Sequence, residues 1–347
     1  MKRNLQYIIL FIIVAILVVS GIIFLVAYDR ILKPNAVTGN EEFLYFQIPT
    51  GSDYPEVLNI LVSEKIIKDT SSFNWVALKK NYPNHVKPGS YRISRSMNNN
   101  EIVNMLRSGR QEPVRLIINS TRTLEKLASV VSSQIEADST EIIILLRDPQ
   151  YLKELNLTPE TATGIIIPNT YEFYWNTDAD KLIRRMKVEY ENFWNELRTK
   201  KAEQIGLTPM EVITLASIVD EETLMKDEEP KIAGVYMNRL KKPMRLQACP
   251  TIKFVTGDWT MTRVLDKYLF IDSPYNTYRH DGLPPGPITI PSISSIDAVL
   301  NYEHHDYLFF AAKEDFSGYH NFAKTLAQHN RNADLYQKAL DKRKIMK

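Results

Sequence analysis

Hydrophobic positions change their spacing three times along this chain, and each change predicts a different kind of element. From Tyr7 to Tyr28, YIILFIIVAILVVSGIIFLVAY, no charged residue interrupts the apolar run. As a helix at about 1.5 Å per residue it spans roughly 33 Å, enough for a bilayer core. Lys2 and Arg3 precede it, which by the positive-inside rule keeps the N-terminus cytoplasmic and puts everything after Asp29 on the far side. The run is too long for a signal-peptide core and no A-x-A-like site follows, so residues 1–28 are expected to be a cytoplasmic tip and an uncleaved transmembrane helix.

Residues 29–42 are polar, with Pro34, Asn35, Gly39 and Asn40, and predict a linker. The pattern then shortens. FLYFQIP, from Phe43, alternates and is aromatic, as a strand does. SDYPEVLNILVSEKII has Ser52 or Asp53 as N-cap and apolar residues at Val57, Leu58, Leu61 and Val62, the spacing of a helix face. SSFNWVALKK predicts a second helix, KPGSYRIS a turn and strand, and MNNNEIVNMLRSG a helix ended by Gly109. Residues 43–112 thus form a small α+β module.

Residues 113–347 form a larger mixed α+β domain. VRLIIN predicts a strand, TLEKLASVVSSQI an amphipathic helix, and GIIIPNTYEFYW an aromatic run broken by Pro168. DADKLIRRMKVEYENFWNELRTKKAEQIG predicts one long polar helix with apolar positions Leu182, Ile183, Met186, Tyr190, Phe193 and Leu197. A helix near EEPKIAGVYMNRL, a long loop and the strand YLFFAAK follow.

Within this domain, Thr208-Pro209-Met210-Glu211 has capping-box spacing with proline at the first helical position, so a helix starts at Pro209. Val212, Leu215, Ile218 and Val219 make its apolar stripe. The helix ends in three carboxylates, and at 100° per residue only Glu222 returns to within about 20° of Leu215. Asp220 and Glu221 fall roughly 120–140° away and are expected on solvated flanks. Burial beside the stripe and the negative helix end would both favour a proton-holding Glu222, as a general acid requires. The competing possibility is a frayed end, with Glu222 in solvent or paired with Lys226.

Composition narrows the field. The 347 residues are 44% hydrophobic with a formal net charge of +2, which gives no reason to expect nucleic acid. The single cysteine, Cys249, leaves no internal disulfide or cysteine-cluster metal site. No G-x-S-x-G, G-x-G-x-x-G or P-loop pattern occurs, and the histidines lack zinc-type spacing. No cofactor or metal is implied.

Two further stretches suit ligand recognition. YMNRLKKPMRLQACPTIKF, Tyr236 to Phe254, groups Asn, Arg and Gln around Pro243, planar groups suited to a hydroxyl-rich or carboxylate ligand. SPYNTYRHDGLPPGPITIP, Ser273 to Pro291, carries five prolines and two glycines, which excludes regular helix or central strand. Tyr275, Tyr278 and Leu283 anchor it, and its tyrosines and amides would line a sugar groove. GYHNFAKTLAQHN places His320 and Asn330 near the chain end, where either serves equally well as packing.

Taken together, ASIVDEET, VYMNRLKKPMRLQACPTIKF, SPYNTYRHDGLPPGPI and HNFAKTLAQHN resemble, in order and spacing, the MltG (YceG-like) family of endolytic murein transglycosylases. The resemblance covers nearly the whole chain after the linker and implies a fold of transmembrane helix, LysM-like module and YceG-like catalytic domain. It implies cleavage of the β-1,4 bond between N-acetylmuramic acid and N-acetylglucosamine in nascent peptidoglycan, leaving 1,6-anhydromuramic ends. The family glutamate falls on Glu222. Asn238, Arg239, Gln247, Thr251, Tyr275, Asn276, Thr277, His320 and Asn330 are the candidate substrate-binding residues on these motifs. Expected partners are peptidoglycan strands, the membrane, and synthases of the elongation or division machinery. Two positions depart from the family pattern: Asp220 stands where glutamate is commoner, and Cys249 where LQ-x-D-P-T has aspartate. Two other functions stay open: a hydrolase using Asp258, Asp272 or Glu172 to activate water, and a non-catalytic glycan-binding scaffold.

Overall fold

The structure, a computed structural model, describes residues 2–261 and 264–343. It is a mixed α+β protein with one N-terminal apolar helix. The chain divides into two compact units. One runs to Leu116 and includes Gln134–Glu136 and Glu172–Thr177; the other comprises Ile117–Ser133, Ala137–Tyr171 and the chain from Asp178 onward.

In the first unit, α1 (Lys2–Leu32) contains the apolar stretch Gln6–Leu32, long enough to cross a membrane and with none of its most apolar window buried. It fits a single-pass anchor. Residues 29–42 do not run free as a linker would. The helix continues to Leu32, and Asn35 and Ala36 are buried, held by backbone bonds to Met97 and by the Asn35 side chain on Asp69 and Asn99. Strand β1 (Phe43–Ile48) pairs antiparallel with β2 (Gly89–Ser94), Phe46 opposite Tyr91 and Leu44 opposite Ile93. Between them lie α2 (Tyr54–Ser63) and α3 (Thr70–Lys79), and α4 (Asn99–Ser108) follows. Capping boxes at Asp53–Glu56 and Asn98–Glu101 start α2 and α4, and Gly109 at φ 71° ends α4.

Strand β3 (Val114–Ile118) pairs with β4 (Asn169–Phe173), and α5 (Leu124–Ser132), α6 (Ser139–Leu145) and α7 (Pro149–Glu154) lie between them in sequence. The predicted long polar helix is two: α8 (Ala179–Phe193) and α9 (Glu196–Ile205). Trp194 leaves helical geometry at ψ 60° and is buried, and the Asn195 side chain caps the next helix through the Arg198 N–H. A local cap and a buried ring outweigh the continuous polar pattern.

At the centre of the second unit is α10 (Pro209–Glu222), packed by α9, α11 (Glu229–Lys241), α12 (Cys249–Thr256) and α13 (Ile293–Leu300). The capping box at Thr208 and Glu211 is present. Its apolar stripe is wider than predicted: every residue from Val212 to Val219 is buried, including Thr214 and Ser217. The Thr214 hydroxyl donates to Met210 O (2.9 Å), and that of Ser217 to Thr214 O (2.7 Å) while accepting from Ile288 N (3.0 Å). Those bonds allow polar side chains in the core. Burying Leu215, Ile218 or Val219 contributes on the order of 1.5–3 kcal/mol each. The unit closes with β5 (Phe309–Ala312), antiparallel to β6 (His320–Ala323), and with α14 (Leu326–Lys342).

Candidate active site

Helix α10 ends abruptly. Thr223 adopts an extended conformation, so Glu222 occupies the last turn, half-buried. Tyr236, fully buried on α11, donates its phenol hydrogen to Glu222 Oε1. Its ring stands edge-on to Phe310 on β5, with centroids 5.9 Å apart, an arrangement that fixes the phenol's direction. Arg239, one turn after Tyr236, is buried and donates to Leu308 O (2.7 Å) and Leu246 O. These residues line a cavity of about 290 Å³ together with Gln247, Cys249, Tyr278, Phe309 and His329.

Two opposed influences act on Glu222. Burial pushes its carboxyl above the usual carboxylate range; the Tyr236 hydrogen bond and the charges of His320, Lys253 and Arg239 pull down without cancelling the rise. Burial likewise raises Tyr236 and the Cys249 thiol and lowers the Arg239 guanidinium. Cys249, 3.2 Å from Tyr278 Oη, is therefore a neutral thiol. Among the described lining residues Glu222 is the one carboxylate. It can hold a proton, and once that proton leaves, the phenol and nearby cations steady the anion.

Asp220 is not a solvated bystander. Its side chain, 10% exposed, accepts from Ser295 Oγ (2.5 Å), Ser292 Oγ (2.7 Å), Ser120 Oγ (3.2 Å) and Lys226 Nζ (3.3 Å). Lys226 also reaches the buried Glu229 at 2.7 Å, so it is engaged here and not with Glu222. Burial alone would raise the Asp220 carboxyl, but the Ser295 and Ser292 hydroxyls and Lys226 outweigh it and hold it low. Glu221, 11% exposed, pairs with Arg122 at 2.8 Å. Ser292 and Ser295 come from the start of α13, about seventy residues on, and Ser120 from the connection after β3, a hundred residues back; nothing in the spacing of the acidic run signals them.

The candidate substrate-binding residues scatter over several roles. Arg239 and Gln247 line the Glu222 cavity. Asn238 does not; its amide donates to His305 O (2.7 Å) and Tyr307 O (3.0 Å). Gly234, one turn earlier on α11, admits the same segment, since a Cβ there would meet Glu303 O at 2.3 Å. Thr251 and Thr277 are buried and joined at 2.9 Å, Thr277 accepting from Ala248 N and Thr251 donating to Ala248 O. Asn276 is fully buried, its amide donating to Leu269 O and Ile271 O and its carbonyl accepting from Tyr278 N. These three hold the 273–291 loop in place and have no open surface for a ligand. Tyr275 lines a different cavity. His320 sits on β6 with Nδ1 2.8 Å from Glu228 Oε2, its charge felt at Glu222. Asn330 is exposed on α14, next to the cavity residue His329.

Sequence reasoning missed Tyr236, His329 and the two phenylalanines. Tyr236 was within reach, because residues three apart on a helix share a face and Arg239 was already a candidate. Glu228, inside a charged run, is buried under His320 and offers no such clue.

A sequence profile of the YceG-like family matches residues 46–335. The chain belongs to the YceG-like family. Within that family, an endolytic murein transglycosylase of Bacillus subtilis (strain 168) is 30% identical over 325 residues, covering 89% of each chain. Another, from Streptococcus pneumoniae serotype 2 (strain D39), is 28% identical over 339 residues, covering 88% of this chain and 60% of that longer protein. A crystal structure of a yceG-like protein from Listeria monocytogenes is 30% identical, with a TM-score of 0.56, and spans 84% of this chain and 98% of that one.

Proposed function

We propose that this protein is a membrane-anchored endolytic murein transglycosylase, a lyase that cuts the N-acetylmuramic acid–β-1,4–N-acetylglucosamine bond with Glu222 as sole acid and base. The supporting observation is the single carboxylate in the cavity, raised by burial and braced by Tyr236. Protonated Glu222 gives its proton to the bridging oxygen as the muramyl C1–O bond breaks and positive charge grows at C1. The resulting carboxylate takes the proton of the muramyl C6 hydroxyl, whose oxygen closes on C1. The product is a 1,6-anhydro end, and no water is consumed.

A two-carboxylate hydrolase needs a second acid across the scissile bond, typically within about 5–10 Å of the first. The family's usual aspartate would have supplied an anion in the cavity, but Cys249 puts a neutral thiol there. Asp258 and Asp272 are exposed, the first bonded to Thr260 and the second beside Arg279. Glu172 belongs to the other unit.

The basic residues Lys2 and Arg3 support an N-terminus in the cytoplasm with the catalytic unit outside the membrane. The strand–helix–helix–strand order of β1, α2, α3 and β2 supports a LysM-like glycan contact in the first unit. Growing glycan strands and the synthases that extend them are the expected partners. Mass spectrometry of peptidoglycan digested by the full-length protein tests the chemistry. Anhydro ends, one water lighter than reducing ends, are expected; reducing ends alone would establish hydrolysis instead.

A further inference from the structure

A second cavity, about 430 Å³, lies in the same unit and shares no lining residue with the first. Two segments serve both. Helix α12 gives Cys249 to the Glu222 cavity and Phe254 to the second, roughly 7.5 Å further along its axis. The 273–291 loop gives Tyr278 to one and Tyr275 to the other. The last turn of α10 also touches both: Glu222 lines the first, while Glu221 holds Arg122 in the wall of the second.

Its chemistry is distinctive. Trp259, Tyr275 and Phe254 supply aromatic faces, Phe254 and Tyr275 with centroids 4.6 Å apart and Arg122 5.5 Å from the Trp259 ring centroid. Its ionisable groups balance: Arg122 and Arg147 against Glu125 and Glu160. Each arginine is already ion-paired, Arg122 with Glu221 and Arg147 with Glu125 at 2.5 Å. No free cation is left to hold an anion, and Glu160, the one lining carboxylate without an ion pair among the described residues, is held by the Thr158 side chain. What is left is flat apolar surface edged by fixed planar polar groups, which suits a neutral ligand with an apolar ring face and many hydroxyl and amide groups. The carboxylates of a stem peptide find no free cation here.

We infer that this cavity binds one uncharged N-acetylhexosamine residue of the same glycan strand that reaches Glu222, stacked on Trp259. The inference rests on the transglycosylase function proposed above and adds to it a second grip on the strand, away from the bond that is cut.

The test uses the full-length Glu222→Gln protein labelled with 5-fluorotryptophan, and an uncharged β-1,4-linked tetramer of N-acetylglucosamine as probe. Loss of one fluorine resonance in Trp259→Phe assigns that of Trp259. The tetramer is expected to shift this resonance saturably, with a midpoint about fivefold higher in Arg147→Ala, an exposed-site change that leaves the core intact. A stem pentapeptide is expected to leave it unmoved. A resonance indifferent to the tetramer at millimolar concentration, or moved by the pentapeptide alone, overturns the inference. The two proposals fail separately. Anhydro ends with an indifferent Trp259 refute only the sugar site; a responsive Trp259 in a protein that releases no anhydro ends refutes only the chemistry.

Discussion

Asp220 and Glu222 are two residues apart on one helix turn, yet their surroundings drive them to opposite protonation behaviour. Asp220 enters a cage of three hydroxyls and a lysine, and those donors hold the carboxyl low despite burial. Glu222 enters an aromatic cavity where one phenol donates to it, and there burial prevails. The number of donors aimed at each carboxylate decides the outcome. One acid is thereby fitted to structure and the other to proton transfer.

The largest effect is expected at Glu222. Glu222→Gln keeps the side chain's shape but removes the transferable proton. The rate of anhydro-product release should fall by about 10³-fold, within the range ascribed to a positioned acid–base group, with an unchanged melting temperature. Retention of more than a tenth of the wild-type rate would remove Glu222 from the chemistry.

At Asp220 the expected damage is to stability. Asp220→Ala leaves Lys226 and three serine hydroxyls without their acceptor and should cost about 3 kcal/mol, measured by denaturant unfolding. The folded carboxyl titrates below its unfolded value, so its contribution is present above the ordinary carboxylate range and is lost as pH falls through the folded pKa. The stability gap between wild type and variant should therefore narrow in acid. A gap that widened in acid would contradict the low pKa.

The smallest effect sharpens the contrast. Tyr236→Phe removes the one hydrogen bond that lowers Glu222, so its pKa should rise further. In the mechanism we propose, activity depends on the protonated acid and declines as pH climbs through that pKa. The alkaline limb should accordingly move to higher pH, while the maximal rate drops about tenfold for want of a donor to the developing carboxylate. A limb displaced toward acid would show that Tyr236 acts on something other than Glu222.

How far all this was legible in the sequence differs from residue to residue. The start of α10 could be read from four residues, because a capping box is a local device. Glu222 could be singled out because helical periodicity is rigid over seven residues. Asp220 was misjudged because its partners arrive from Ser292 and Ser295, and no local pattern carries that information. Asn276, Thr277 and Thr251 are candidate ligand contacts only through the motifs they lie on, and nothing in their local sequence shows that they face inward. In the fold they satisfy backbone groups that a buried loop would otherwise leave unpaired. The break between α8 and α9 was hidden by polar residues that continue the helical pattern across it. Local spacing carries the resemblance and singles out Glu222, but holds no sign of the packing that separates brace from contact.

The two walls around Glu222 also differ in how firmly they belong to the fold. Helix α10 is enclosed by the core from Val212 to Val219, whereas α14, which lends His329 and the exposed Leu326 to the cavity, has no buried residue. In hydrogen-exchange experiments the amides of α10 are expected among the last to open and those of α14 among the first. Glu222 thus sits at the end of the firmer of the two elements, and a change in α14 would alter the cavity without disturbing the helix that carries the carboxyl.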